Sequence, residues 1–230
     1  MSNPPRVAYV IPAYNEERAI RAVVRGLQAD APAGDVIVVD DASRDDTSGS
    51  ARAAGAIVLR HIINRGQGAA LQTGFDAALR RGAEVIITFD ADGQHTPSDA
   101  AALIAALVEH DADVVLGSRF LGREAENMPT ARRWLLRAAL WFTRVVSRVN
   151  VTDTHNGLRA FRASALERIR ISEDRMAHAS ELLDLIGECD LRHVEVPCHV
   201  RYTEYSMRKG QRWHAALPIA FNFLVGKVMR

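Results

Sequence analysis

Val85-Ile86-Ile87-Thr88-Phe89-Asp90-Ala91-Asp92-Gly93-Gln94-His95 frames the reading of the whole chain. A run of β-formers stops abruptly at two carboxylates one residue apart, followed by glycine and an amide. A short, continuous apolar run reads as a strand buried on both faces, the kind found in parallel sheets. Its polar end then lies where such sheets gather their ligands, beyond the carboxyl ends of the strands. Two carboxylates and an amide offer oxygen donors that suit a hard divalent cation, Mg²⁺ or Mn²⁺, and such ions are commonly shared with a substrate's phosphates. Asp90, Asp92 and Gln94 are therefore the candidate metal ligands. A pair of solvated turn aspartates is the plainer alternative, because Asp-Gly is also a turn signal. A helix-loop-helix calcium site does not fit, since the twelfth position counted from Asp90 is Ala101 and a bidentate Glu is required there.

Outward from this stretch, Val7 to Ile11, Val36 to Val39, Ala56 to Leu59 and Val114 to Leu116 read as further buried strands. Glu16 to Ala29, Asp45 to Ala54, Ala69 to Arg81 and Pro97 to His110 read as amphipathic helices between them. This alternation predicts an α/β fold, a Rossmann-like, mainly parallel sheet with helices on both faces. Polar residues cluster just past the predicted strands: Pro12-Ala13-Tyr14-Asn15-Glu16, Asp40-Asp41, Asp90-Ala91-Asp92 and Gly117-Ser118-Arg119. Coincidence at four strand ends favours one shared rim over four unrelated turns. Asn64-Arg65-Gly66-Gln67-Gly68 precedes the third helix and offers free N–H groups to an anion.

With 230 residues, 48% of them hydrophobic, the chain can bury a full core, which predicts one domain over residues 1–210 and an amphipathic tail over 211–230. A net charge of +1 provides no global field to recruit nucleic acid. Cys189 and Cys198 lack metal-ligand spacing, which points to reduced structural thiols and a cytoplasmic setting. The first six residues lack the apolar core of a secretory signal, and no window carries eighteen uninterrupted apolar residues.

Beyond residue 120 the pattern changes. Arg133 to Val149 reads as a helix with Arg133, Arg137, Arg144 and Arg148 on one side and Trp134, Trp141, Phe142 and Val145 on the other. It suits a membrane surface, where each arginine near anionic lipid contributes on the order of 1 kcal/mol; packing on the sheet with solvated arginines is the alternative. Asp153-Thr154-His155-Asn156-Gly157 reads as a polar turn leading into Leu158 to Arg162, followed by a helix at His178 to Gly187 that offers Glu181 to the cleft, and a last strand at Val194 to Val200. Arg201 to Gly210 reads as a basic lid, and Trp213 to Arg230 as an apolar tail able to dock on lipid, a partner or its own core.

These strings together resemble glycosyltransferase family 2, in the branch of dolichyl-phosphate mannose synthases and bacterial polyprenyl-phosphate sugar transferases. The resemblance runs from Val10-Ile11-Pro12-Ala13-Tyr14-Asn15-Glu16-Glu17 through Val38-Val39-Asp40-Asp41-Ala42-Ser43, the Asn64 glycine loop, Asp90 to His95 and Gly117-Ser118-Arg119, to Asp153 to Arg159. It implies a GT-A fold and inverting transfer of a monosaccharide, glucose or N-acetylglucosamine, from a UDP-sugar or else a GDP-sugar. Carried over by position, Pro12, Ala13, Tyr14, Glu16 and Asp40 hold the nucleoside. Asn64, Gly66, Gln67, Asp90, Ala91, Arg208 and Lys209 complete the donor site, and Asp90, Asp92 and Gln94 bind metal and diphosphate. Arg119 and Arg133 meet the phosphate of a polyprenyl phosphate. The lid departs from the mannose-synthase pattern at Thr203-Glu204-Tyr205-Ser206, and the C-terminal transmembrane helices of many relatives are missing. The expectation is peripheral attachment to the inner face of the cell membrane, with a small integral membrane protein as a possible partner.

Chemistry bears on the acceptor independently. Transfer from a nucleoside diphosphate builds charge on the leaving oxygen, which a cation at Asp92 stabilises. A hydroxyl acceptor needs a base, whereas a phosphomonoester with a second pKa of about 6 is already ionised and needs positioning cations. Asp92 and Glu181, with Arg119 and Arg133 as the resemblance implies, are the catalytic candidates, and arginines outnumber bases. The rivals are transfer to a sugar hydroxyl with Glu181 or Asp153 as base, and a non-catalytic nucleotide-binding subunit of a membrane complex. Nucleotidyl transfer is disfavoured, because no glycine-rich, lysine-containing loop follows the first strand.

Overall fold

Seven strands, β1 (Val7–Ala13), β2 (Gly34–Asp40), β3 (Ile57–Arg60), β4 (Val85–Thr88), β5 (Val114–Ser118), β6 (Arg159–Arg162) and β7 (His193–Pro197), form one sheet in the order β3-β2-β1-β4-β6-β5-β7. The computed structural model describes residues 4–121, 149, 151–154, 156–174 and 177–200. β1 is buried along nearly its whole length and β4 throughout, as their unalternating sequences predict. Successive residues face opposite layers. Tyr9, Ile11, Val38 and Ile87 meet one core with Ile20, Val24 and Leu27 of α1 (Glu17–Asp30) and Leu103 and Leu107 of α4 (Asp99–Glu109). Val10, Ile37, Val39 and Ile86 meet the other with Leu71 and Phe75 of α3 (Gln67–Arg80), α5 (Ala163–Leu166) and Leu182, Leu183 and Ile186 of α6 (His178–Glu188). The apolar stripe of α1, Ile20, Val23, Val24 and Leu27, has the i, i+3, i+4, i+7 spacing of a helix with one buried face. Each such side chain, fully buried, stabilises the fold by about 1.5–3 kcal/mol. The three-layer α/β architecture read from the sequence is the one observed.

β1, β2, β3, β4, β5 and β7 run parallel, while β6 runs antiparallel between β4 and β5. The sequence pattern alone shows this segment only as the continuation of the polar turn. Its reversal brings its first residue, Arg159, opposite Thr88 and Leu116, near the carboxyl ends of β4 and β5. The Asp153–Leu158 connection therefore reaches the same rim as the ends of β1, β2, β4 and β5. Phe161 faces the α3 layer and meets Phe75 edge-on at 5.6 Å. The last strand stops at Pro197, short of the expected Val200, and only Val200 bridges back to His95. The stop has a cause: the backbone N–H and Nδ1 of His199 turn to Asp99 at 2.7 and 2.9 Å.

At the rim, Asn15 (φ 55°) and Ala42 (φ 59°) both adopt the left-handed conformation, unusual for residues with a Cβ. Their loops are stitched together: Asn15 N–H donates to Ser43 Oγ at 2.9 Å, and its Oδ1 accepts from Arg44 N–H at 2.8 Å. α2 (Thr47–Ala53) joins this unit through Thr47 Oγ1, which accepts the Glu16 N–H at 2.8 Å.

Candidate active site

The rim loops enclose a cleft of about 700 Å³. Pro12, Ala13, Tyr14 and Glu16 enter it from the end of β1, Asn64, Gly66 and Gln67 from the loop before α3, Asp90, Ala91, Asp92 and Gln94 from the end of β4, and Arg119 from the end of β5. The fold thus gathers in one place most of the candidates read from sequence. Arg133, His155, Arg208 and Lys209, like the expected surface helix at 133–149 up to residue 148, the lid and the tail, lie outside the described residues.

Two candidates stand elsewhere. Asp40 does not line the cleft; its carboxylate is fully buried, accepting from Ser43 N–H at 2.8 Å and from the hydroxyl of Ser48. The neighbouring aspartate lines the cleft instead. Asp41 Oδ1 accepts from Arg65 N–H at 2.9 Å and Oδ2 from Gly66 N–H at 2.6 Å, so it carries the glycine loop. Glu181 is also outside the lining; it accepts the N–H groups of Ser172 and Glu173, both at 2.9 Å, and the Ser172 hydroxyl. From α6 it is His178, Ala179 and Leu182 that face the cleft.

At the β4 corner, Asp90 is bonded to His95 Nε2 at 3.0 Å, and His95 itself is buried edge-on against Phe89. Burial pushes the Asp90 carboxyl up, but the His95 hydrogen bond and the positive charges of His95, Arg159 and Arg119 outweigh it and hold it below the usual carboxylate range. Asp92 goes the other way, pushed up to about 6 by burial and then by the charge of Asp90. Gln94 orients it, its backbone N–H reaching Oδ1 at 3.0 Å and its amide Nε2 reaching Oδ2 at 2.7 Å. The turn between them uses Gly93 at φ 74°, a conformation glycine adopts freely. Gly157 closes over the corner from the other side: a Cβ there would stand 2.3 and 2.4 Å from the two Asp90 carboxylate oxygens. Thr88 Oγ1 donates to Gly157 O at 2.6 Å and fixes that approach.

These residues fit a hard cation. The donors are oxygen, the mutual repulsion of the two carboxylates is what a divalent charge relieves, and the glycine cradle leaves Asp90 unobstructed. One or two carboxylates are what Mg²⁺ commonly takes from a protein, waters and substrate oxygens supplying the rest.

In the same cleft, Arg119 is 9% exposed and forms a bidentate pair with buried Asp153, Nε to Oδ2 at 2.6 Å and Nη2 to Oδ1 at 2.7 Å, while its N–H donates to Oδ2 at 3.1 Å. Glu195 of β7 holds the backbone N–H groups of Thr152 and Asp153 at 2.8 and 3.1 Å. Arg159 lines the cleft behind them, donating to the carbonyls of Asn156 at 3.0 Å and Thr154 at 3.3 Å. Burial pulls its pKa down to about 10, against the opposing charges of Asp153 and Asp90, so it stays cationic at neutral pH. Cys198 is a free thiol that burial pushes up to about 12, with Asn156 Nδ2 donating to Sγ at 2.9 Å; it serves packing, not nucleophilic chemistry. Asp41, His95, Asn156, Gly157 and Arg159, which the sequence motifs contain without a role of their own, and His178, at the start of the expected helix, are thus further cleft residues. For Gly157 and Arg159 the signal was their place in the motif shared with the family.

A mostly parallel sheet, a two-carboxylate corner at the tip of its central strand and buried arginines lining the same cleft make this a GT-A glycosyltransferase fold. Residues 9–170 match the Glycosyl transferase family 2, and the chain belongs to that family. The UDP-N-acetylglucosamine–dolichyl-phosphate N-acetylglucosaminyltransferase of Methanococcus voltae is 34% identical to it, over 96% of each chain. The undecaprenyl-phosphate mannosyltransferase of Micrococcus luteus is 38% identical, over 71% of this chain and 69% of its own. Among solved structures, glucosyl-3-phosphoglycerate synthase from Mycobacterium tuberculosis with Mn²⁺, UDP and glucosyl-3-phosphoglycerate matches with a TM-score of 0.58 at 22% identity, over 89% of this chain and 75% of that one, a likeness of fold. Among the described residues no helix is long and apolar enough to cross a membrane.

Proposed function

We propose that this protein transfers a monosaccharide, N-acetylglucosamine or glucose, with inversion, from a UDP-sugar to a polyprenyl phosphate at a membrane surface. One observation carries the choice of acceptor. Arg119 and Arg159 line the same cleft as the Asp90–Asp92 corner, while the carboxylates weighed as bases, together with Asp41, are engaged, Asp153 by Arg119, Asp41 by loop N–H groups and Glu181 by Ser172 and Glu173. A phosphate dianion supplies its own nucleophilic oxygen and needs cations to position it. The phosphate acceptors named for the Methanococcus and Micrococcus relatives support the same choice.

In this scheme Asp90 and Asp92 hold Mg²⁺ or Mn²⁺, with Gln94 keeping Asp92 in register. When bound, the ion neutralises charge gathering on the leaving diphosphate. Pro12, Tyr14, Glu16 and the Asn64–Gln67 loop hold the nucleoside. Arg119, fixed by Asp153, turns the acceptor phosphate toward the anomeric carbon, and displacement by that oxygen inverts the centre. The Arg133–Val149 segment, by its sequence, brings the cleft to anionic lipid, alone or beside an integral membrane partner.

The test is a panel of UDP-N-acetylglucosamine, UDP-glucose and GDP-mannose with Mn²⁺ and undecaprenyl phosphate or undecaprenol, scored by nucleotide release and by mass of the lipid product. Release that requires the lipid phosphate is expected. Equal release with undecaprenol or a free sugar would refute the acceptor, and no turnover with any pair would favour the non-catalytic alternative.

A further inference from the structure

The loop that walls the donor side of the cleft has almost nothing apolar to hold it. Ile62 is 98% exposed and Ile63 68%, so the segment between β3 and α3 gains little from packing. Its position is set by hydrogen bonds, and, apart from Arg65 Nη2 to Asp174 Oδ1 at 3.1 Å, those of Asn64, Arg65 and Gly66 converge on one residue. Arg65 N–H and Gly66 N–H donate to the Asp41 carboxylate, and Asn64 Nδ2 donates to the Asp41 carbonyl at 3.2 Å. That carboxylate is itself nearly buried, with its side chain 4% exposed, and a carboxylate so placed needs a fixed partner. His61 supplies it: Nδ1 lies 2.7 Å from Asp41 Oδ1, and the ring is 12% exposed. The far side of the ring is also tied, Nε2 standing 3.0 Å from Thr73 Oγ1 on α3, whose hydroxyl reaches Ala69 O at 2.9 Å.

We infer that His61 is a positioning residue for donor binding: braced against Thr73, it fixes the Asp41 carboxylate from which the Asn64–Gln67 wall of the nucleoside pocket hangs. Without the imidazole, Asp41 loses one of its three hydrogen-bond donors and the support that sets its rotamer, and the wall relaxes away from the nucleoside. The Asp90–Asp92 corner lies just past the end of β4, apart from this chain of bonds. The effect therefore falls on donor affinity more than on turnover of bound donor. The inference rests on the proposal that the cleft takes a nucleoside diphosphate sugar.

The test uses UDP, or GDP for a protein that prefers it, with Mn²⁺ in isothermal titration, alongside KM and kcat for the nucleotide sugar. H61A is expected to weaken nucleotide binding and raise KM about 10–100-fold, the scale of losing a hydrogen bond to a charged group, with kcat within about threefold of wild type. The two amides provide a finer comparison that does not depend on H61A folding. In H61N the side-chain amide nitrogen stands near the place of Nδ1 and restores the bond to Asp41, so affinity returns to within about threefold of wild type. In H61Q the amide lies near Nε2, keeps Thr73 and leaves Asp41 alone, so affinity stays low. Equal nucleotide affinity in H61N and H61Q, or a fall in kcat without a change in binding, overturns the inference alone. A wild-type protein that binds neither UDP nor GDP brings down the donor assignment and this inference with it.

Discussion

Gly157→Ala tests the β4 corner with the smallest change the fold allows. The added methyl would stand 2.3 Å from Asp90 Oδ1, 2.4 Å from Oδ2 and 2.6 Å from Cγ, where ordinary contact begins at 3.4 Å. Either the carboxylate or the loop must retreat by about 1 Å, and a misplacement of that size costs on the order of 10²-fold in rate when it moves a catalytic group. The loop resists, because Gly157 O accepts from Thr88 Oγ1 at 2.6 Å and the flanking Asn156 and Leu158 are buried. The carboxylate is held more lightly, by His95 at 3.0 Å, so it is the group expected to yield. Overpacking of this kind destabilises by about 1–3 kcal/mol, too little to unfold an ordinary domain. The expected outcome is a folded protein with a modestly lower melting temperature, nucleotide-sugar turnover down about 100-fold or more, and Mn²⁺ binding weakened in calorimetry. Turnover within threefold of wild type together with unchanged Mn²⁺ affinity would refute the reasoning, since Asp90 would then not be at the metal corner or the cradle would not be tight.

Four further outcomes are expected. The Asp92 carboxyl titrates near 6 in the metal-free protein, so the Mn²⁺ dissociation constant measured against pH should be flat above about 7 and rise about tenfold per unit below 6. A raised carboxyl pKa favours the fold at low pH and loses that contribution as pH rises through 6; thus Asp92→Asn should melt higher than wild type without metal at pH 8, while losing turnover. Asp153→Asn leaves the buried Arg119 guanidinium without its counter-charge and should cost about 3–5 kcal/mol in urea unfolding, whereas R119M/D153L recovers stability but not transfer to the lipid phosphate. Changing Arg137, Arg144 and Arg148 together to Gln should reduce flotation with anionic vesicles, and wild-type flotation should fall as salt is raised; unchanged flotation would count against a surface helix.

The parallel part of the sheet was legible because β1, β2, β4 and β5 are short apolar runs that end in polar clusters. β6 was not, because Arg-Ala-Phe-Arg shows neither alternation nor a continuous apolar run. Its arginines are absorbed by backbone carbonyls distant in sequence or folded back from the loop: Arg162 donates to Ala112 O at 2.7 Å and Leu107 O at 2.9 Å, and Arg159 to Asn156 O. Such tertiary satisfaction leaves no local signal. The choice between Asp40 and Asp41 was beyond sequence for another reason. Adjacent residues at a strand end face opposite ways, and only the register of β2 decides which enters the cleft. Glu181 misleads similarly: on a helical wheel it can look inward, but the nearby N–H groups of Ser172 and Glu173 capture it.

The fastening between Arg119 and Asp153 has an evolutionary corollary. The two residues are 34 positions apart, so their fork-to-fork clasp ties the end of β5 to the turn that leads into β6, with Glu195 as a second stitch beside it. Lineages can exchange these two anchors only as a pair, because changing one alone leaves the other's buried charge under-compensated.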